Sequence, residues 1–231
     1  MELSGARVLV CGASGALGGG VARALVGAGA KVVAAGRDEE RLRVVAAECG
    51  TAPVTFDVVD ADSCREAVAA AVEALGGLDG LVVTVGAPAF GRALDLDAAV
   101  SEELFAVNAL GPMALVRAAA PSLSEGGFVA VFSAILADQP TAGMGDYSAA
   151  KSALSAWLHV LRREERRRFT VLDVRPPHLD TGLETRALAG EPPRLPPPLP
   201  AEQVVEAVLQ AIREDKHEVA WDLAAKSLVV R

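Results

Sequence analysis

Ala6-Arg7-Val8-Leu9-Val10-Cys11-Gly12-Ala13-Ser14-Gly15-Ala16-Leu17-Gly18 is the stretch that decides the fold. Ala6 to Cys11 is a short apolar run rich in β-branched residues, with Gly5 before it and Gly12 after it, as in a strand buried on both faces. Beyond Gly18, Val21, Leu25 and Val26 recur at helical spacing until Gly27-Ala28-Gly29. Strand, glycine loop and helix in that order form a phosphate cradle. Glycines let backbone N–H groups approach a pyrophosphate, and the helix aims its positive end at the same charge. The spacing of Gly12, Gly15 and Gly18 is G-x-x-G-x-x-G rather than G-x-G-x-x-G, so its weight comes from its place between a first strand and a first helix.

Outward from that loop the alternation continues without a change of character. Strands are expected at residues 31–36, 54–56, 81–85, 128–132, 170–174 and 218–223. Helices are expected at 39–49, 62–75, 98–120, from Tyr147 to about Leu161, and around Val204, Val205, Val208, Leu209 and Ile212. Strands joined by helical crossovers pair in parallel, which predicts an α/β fold with one doubly wound parallel sheet covered on both faces. No composition shift marks a boundary, so residues 1–231 read as one domain. Residues 176–200 interrupt the pattern with eight prolines, and their place after a strand's carboxyl end predicts a mobile lid over a ligand.

Bulk properties narrow the function. A net charge of −8 argues against nucleic-acid binding, and the arginines between Arg162 and Arg168 are interrupted by Glu164-Glu165 at a helix end, where cations complement the dipole. Cys11, Cys49 and Cys64 form neither a disulfide framework nor a zinc pattern. With no basic leader and no uncharged apolar span, the expectation is a cytoplasmic protein without membrane contact.

Two further places carry chemistry. The second strand ends at Gly36-Arg37, where a guanidinium suits a ribose 2′-phosphate, so NADP(H) is favoured over NAD(H). Asp38 is read as the cap of the next helix. Tyr147 and Lys151 lie four residues apart on one helix face, and an ammonium beside a phenol favours the phenolate, lowering its pKa from about 10. Asp146 is read as that helix's cap, and His178 as a loop histidine without an identified carboxylate partner.

With these residues in view, the chain resembles the short-chain dehydrogenase/reductase family from Ala6 to about Leu223, as a divergent member. The resemblance rests on the glycine loop, Asp57 after the third strand, Asn108 in the long helix, a serine after the fifth strand, Tyr147-x-x-x-Lys151, and Arg175-Pro176 after the sixth. It implies a Rossmann-type sheet of about seven strands in the order 3-2-1-4-5-6-7. It also implies hydride transfer between a nicotinamide cofactor and a small carbonyl or alcohol, with Tyr147 as general acid or base, Lys151 as its partner and Asn108 as relay. Cofactor contacts would come from Gly12, Ser14, Gly15, Ala16, Leu17, Gly18, Arg37, Asp57, Val58, Gly86, Tyr147, Lys151, Pro176 and Thr181. A homodimer or homotetramer is implied in the same way.

The departures are specific. The family's catalytic serine stands thirteen positions before the tyrosine, which here is Ala134, with Ser133 just before it. Either Ser133 serves or the hydroxyl is missing, and the second possibility leaves open a protein that binds a dinucleotide, as a sensor, with impaired chemistry. After the fourth strand only Gly86 survives of Asn-Asn-Ala-Gly. Cys11 replaces a threonine, Ala16 the middle glycine of the loop, and Pro177 the glycine of Pro-Gly.

Overall fold

The computed structural model describes residues 1–231. The elements run β1 (Arg7–Cys11), α1 (Ala16–Gly27), β2 (Lys31–Gly36), α2 (Glu39–Cys49), β3 (Val54–Thr55), α3 (Ala61–Leu75), β4 (Leu78–Val83), α4 (Ala98–Phe105) and α5 (Gly111–Ala119). They continue with β5 (Leu123–Phe132), α6 (Gly145–Glu164), β6 (Phe169–Arg175), α7 (Ala201–Arg213), β7 (Glu218–Asp222) and β8 (Ser227–Val230). All eight strands join one sheet in the order β3-β2-β1-β4-β5-β6-β7-β8. The first seven are parallel and follow the expected order. The eighth pairs antiparallel with β7 and extends the sheet beyond the strands read from sequence.

Alternation along each strand sorts the core into two layers. Val8 and Val10 of β1, with Val82, Phe128, Ala130 and Val174, pack beneath α1, α2 and α7. Leu9 and Cys11, with Leu81, Val83, Val129, Val131 and Val171, pack beneath α3, α5 and α6. Each fully buried valine or leucine contributes roughly 1.5–3 kcal/mol, so both faces must be covered for the strands to be stable. Asp38 accepts from the Arg41 N–H at the start of α2, and Asp60 from the Asp62 and Ser63 N–H groups at the start of α3. Such caps contribute about 1 kcal/mol each.

The long helix expected at residues 98–120 is one continuous path, but its middle turn, Ala106–Leu110, is a π-helix. One wider turn shifts the register between α4 and α5 and brings Asn108 inward. The Ala98–Ser122 path is long and apolar enough by composition to cross a bilayer, yet half of its most apolar window is buried within the protein, as in a core helix.

Candidate active site

A cleft of about 840 Å³ opens at the carboxyl ends of the parallel strands, where the sheet reverses its winding between β1 and β4. At one end stands the glycine loop. The N–H groups of Ala16, Leu17 and Gly18 have no hydrogen-bond partner in the protein, and the first turn of α1 holds no acidic residue. Gly12 sits at φ 91°, in the region glycine favours. A Cβ on Gly18 would lie 2.3 Å from Gly12 O and 2.5 Å from Thr84 Oγ1. Gly18→Ala should therefore pry the loop from β4, lower stability by about 1–3 kcal/mol and weaken dinucleotide binding. Thermal unfolding and a dinucleotide titration measure both effects, and unchanged values would count against this account of the loop.

Ser14, Gly15, Arg37, Asp57, Val58, Gly86, Pro176 and Thr181 all border the same cleft. Arg37 is exposed and makes no ion pair, whereas Arg41, also on the cleft wall, lies 3.9 Å from Asp38. Asp57 holds its own turn by accepting from the Val59 N–H. These residues fit an extended ligand that is anionic towards the loop.

At the other end Tyr147 and Lys151 project from α6. The Tyr147 hydroxyl makes no hydrogen bond within the protein, although its ring packs in an apolar cluster with Ala89, Phe90, Ala134, Leu136 and Met144. Burial pushes the phenol up to about 12, which corrects the expectation of a lowered value in the free protein. The Lys151 ammonium donates to Phe132 O at 2.9 Å and lies in a dry site, so burial pulls it down to about 8 against the opposing attraction of Asp173.

Asn108 is fully buried and is not on the cleft wall. Its side chain clamps Ala87, accepting from the Ala87 N–H at 3.1 Å and donating to Ala87 O at 2.8 Å, with a further bond to Leu104 O. It thus fixes the segment after β4 that carries Gly86. A Cβ on Gly86 would stand 3.0 Å from Asn108 Oδ1 and 3.3 Å from Lys151 Nζ.

Ser133 borders the cleft, but its hydroxyl donates to Asp173 Oδ1 at 2.5 Å. With its proton engaged there, Ser133 does not stand as a free donor to a ligand in this structure, which favours the second of the two alternatives, a missing hydroxyl at Ala134. Ala134, beside Tyr147, presents only a methyl group. Asp146 does not cap α6. Met144 occupies the cap position, and the Asp146 carboxylate accepts instead from the Ser101 hydroxyl.

The proline-rich segment walls the cleft from Pro176 to Leu199 and is tied back by Leu188 N to Pro88 O and Phe90 N to Ala189 O. His178 has a carboxylate nearby that sequence reading did not find, but no hydrogen bond to it: His178 Nε2 and Glu184 Oε2 are both buried without a hydrogen-bond partner. Its Nε2 faces Glu184 Oε2 at 3.7 Å, and its Nδ1 lies 2.9 Å from Pro196 O.

Reading from sequence missed Asp173, and it took Arg175 only as part of the Arg175-Pro176 motif, not as the ion-pair partner of Asp173. Asp173 accepts from Ser133, from Ser155 Oγ at 2.6 Å and from Arg175 Nη1 at 2.7 Å. A lone aspartate inside Thr170-Val171-Leu172-Asp173-Val174 was the available signal, because a charge in a buried strand must find partners.

The sequence profile describing short chain dehydrogenases matches residues 6–192. The cyclic-di-GMP-binding biofilm dispersal mediator protein of Escherichia coli is 35% identical over 182 residues, covering 77% of this chain and 75% of that one. A solved short-chain dehydrogenase from Burkholderia cenocepacia, in complex with NADP, is similar with a TM-score of 0.81 at 30% identity, covering 92% of each chain. Another from Burkholderia phymatum, in complex with NAD, reaches a TM-score of 0.87 at 22% identity, over 94% of this chain and 89% of that chain, which is a likeness of fold.

Proposed function

Because this chain belongs to the short-chain dehydrogenase family, we propose that it is an oxidoreductase interconverting a small carbonyl compound and a secondary alcohol, with NADP(H) favoured over NAD(H). The observation that carries the proposal is one continuous cleft. It joins the unpaired N–H groups of α1 and Arg37 to the free hydroxyl of Tyr147. Bound there, a nicotinamide dinucleotide supplies the hydride in one direction and takes it up in the other.

The protein's part is placement, charge and a proton. In reduction the Tyr147 phenol donates its proton to the carbonyl oxygen, and the Lys151 ammonium stabilises the phenolate left behind. Since burial pulls Lys151 down to about 8, its charge is present below that pH and lost above it, and turnover should fall on the alkaline side. Asn108 keeps Gly86 and Ala87 in place beside Lys151. The walls supplied by Phe90, Leu136, Met144 and Leu188 exclude water and suit an apolar substrate body.

Cofactor choice is tested by titrating NADPH and NADH against the wild type and Arg37→Ala. A charge-assisted contact to a phosphate is worth roughly 1.5–3 kcal/mol, so the variant should lose about tenfold to a hundredfold in NADPH affinity and little in NADH affinity. Equal affinities in the wild type would contradict this reading of Arg37. The reaction itself is tested by following NADPH oxidation over a panel of ketones and aldehydes.

A dinucleotide-binding role with impaired turnover is the second reading. It is favoured by the methyl group of Ala134 where a hydroxyl is expected and by the commitment of Ser133 to Asp173. The Escherichia coli relative, named for binding cyclic di-GMP, points the same way. No oxidation of NADPH across the panel, with NADPH still bound, would select this reading. Self-association belongs to the proposal as well. The outer face of α5 and α6, where Arg117 lies over the Trp157 ring at 5.4 Å, is the surface for a homodimer or homotetramer.

A further inference from the structure

Resting on the role given to Lys151 above, we propose that Asp173 is a positioning residue. Its buried carboxylate supplies the counter-charge that keeps the Lys151 ammonium charged, and it holds the Ser133 hydroxyl away from the substrate oxygen. On β6, Val171 and Asp173 point towards α6, while Leu172 and Val174 point to the opposite layer. On β5, Phe132 offers its carbonyl to Lys151, and the next residue, Ser133, donates to Asp173 Oδ1. On α6, Ser155 stands one turn beyond Lys151 and donates to Asp173 Oδ2. The carboxylate is therefore fastened on both flanks of the Lys151 anchor, with Asp173 only 2% exposed.

The other groups facing Lys151 bring no competing negative charge. Tyr147 precedes it on its own helix, and Asn108 approaches from the π-helical turn behind Gly86. Arg175 lies behind the carboxylate, in ion pairs with Asp173 at 2.7 Å, Asp138 at 2.8 Å and Glu218 at 3.0 Å. Of the carboxylates gathered here, Asp173 is the one whose field raises the proton affinity of Lys151 against burial. A buried ammonium without such a partner would shed its proton, since desolvation penalises the charged form. Removing the negative charge also leaves Arg175 less compensated nearby, which acts in the same direction.

The chain has four lysines, Lys31, Lys151, Lys216 and Lys226, so the protein labelled with ¹³C at lysine Cε gives few signals to follow by NMR during a pH titration. Lys151 is expected to titrate near about 8 in the wild type. In Asp173→Asn its midpoint should fall by about one pH unit or more, the usual effect of losing an opposite charge at close range. The other three lysines should not move. Asp173→Glu keeps the charge and should keep the midpoint. A Lys151 midpoint unmoved in Asp173→Asn, or moved as far in Asp173→Glu, would overturn the proposal. Where Asp173→Asn yields no folded protein, Asp173→Glu carries the test, and a midpoint departing from the wild type defeats it. The alkaline limb of turnover should follow the Lys151 midpoint in each variant. A limb that ignores a midpoint seen to move would count against the catalytic role given to Lys151, not against the counter-charge.

Discussion

Tyr147→Phe is expected to cut carbonyl reduction between about a hundredfold and ten-thousandfold while leaving dinucleotide affinity within about threefold of the wild type, because a positioned proton donor contributes on that scale to the chemical step. The substitution removes one oxygen from a ring packed among Phe90, Ala134, Leu136 and Met144, and that oxygen makes no hydrogen bond within the protein. No partner is orphaned, so stability should hold. Tyr147 is the only tyrosine in the chain, and its ionisation can be read directly from phenolate absorbance. In the free protein that absorbance should rise only at strongly alkaline pH, with a midpoint near about 12, since burial opposes the charge. Under the proposed function, a general acid that works near neutrality needs the phenolate stabilised during the reaction, and Lys151, one turn further along α6, would supply the positive charge. Unchanged turnover in Tyr147→Phe would dismiss the assignment. A midpoint near that of free tyrosine in the unliganded protein would contradict the dry environment described for the ring.

Much of this arrangement is legible in the sequence where local physics and tertiary structure agree. The strand at residues 31–36 and the helix at 39–49 match β2 and α2 residue for residue, because Gly36, Asp38 and Gly50 punctuate them with a turn and two caps. Boundaries fail where polar residues sit inside a strand. Asp79-Gly80 hides the start of β4, and Gly80 is there to admit the Phe128 ring, which a Cβ would meet at 2.2 Å. Ser124-Glu125-Gly126-Gly127 hides the start of β5 in the same way. The four residues of β8 follow a turn with Lys226 at φ 51°, too short a run to carry a periodicity. At the site, the Tyr147 and Lys151 pair, the glycine loop and Arg37 are legible because each is a spacing or a position relative to a strand end. The π-helical turn that swings Asn108 onto Ala87 leaves no trace in the sequence, since one wider turn needs no special residue. Whether Ser133 faces ligand or Asp173 depends on a partner forty residues away, which the spacing to Tyr147 does not encode.

That last dependence makes Ala134→Ser the most informative gain-of-function change. Ala134 holds an extended backbone, φ −172° and ψ 163°, and starts the short turn Ile135–Ala137, a conformation serine adopts readily. Its side chain packs with Tyr147 and borders the cleft at 9% exposure, so a hydroxyl added there needs no backbone movement and little space. Placed beside the Tyr147 phenol, it would give the substrate oxygen a second donor. One such donor is worth about a hundredfold to a thousandfold where a site is built around it. A site that has lacked one should gain less, about tenfold to a hundredfold in kcat, with KM changing little. Ser133→Ala is the matched control. It removes a buried hydrogen bond to Asp173, which should cost about 1 kcal/mol in stability, and should lower turnover far less than Tyr147→Phe. If instead Ala134→Ser is neutral and Ser133→Ala abolishes turnover, the donor role returns to Ser133 and its bond to Asp173 must break when substrate binds. If neither change matters and the wild type turns over freely, Tyr147 and Lys151 suffice for this substrate.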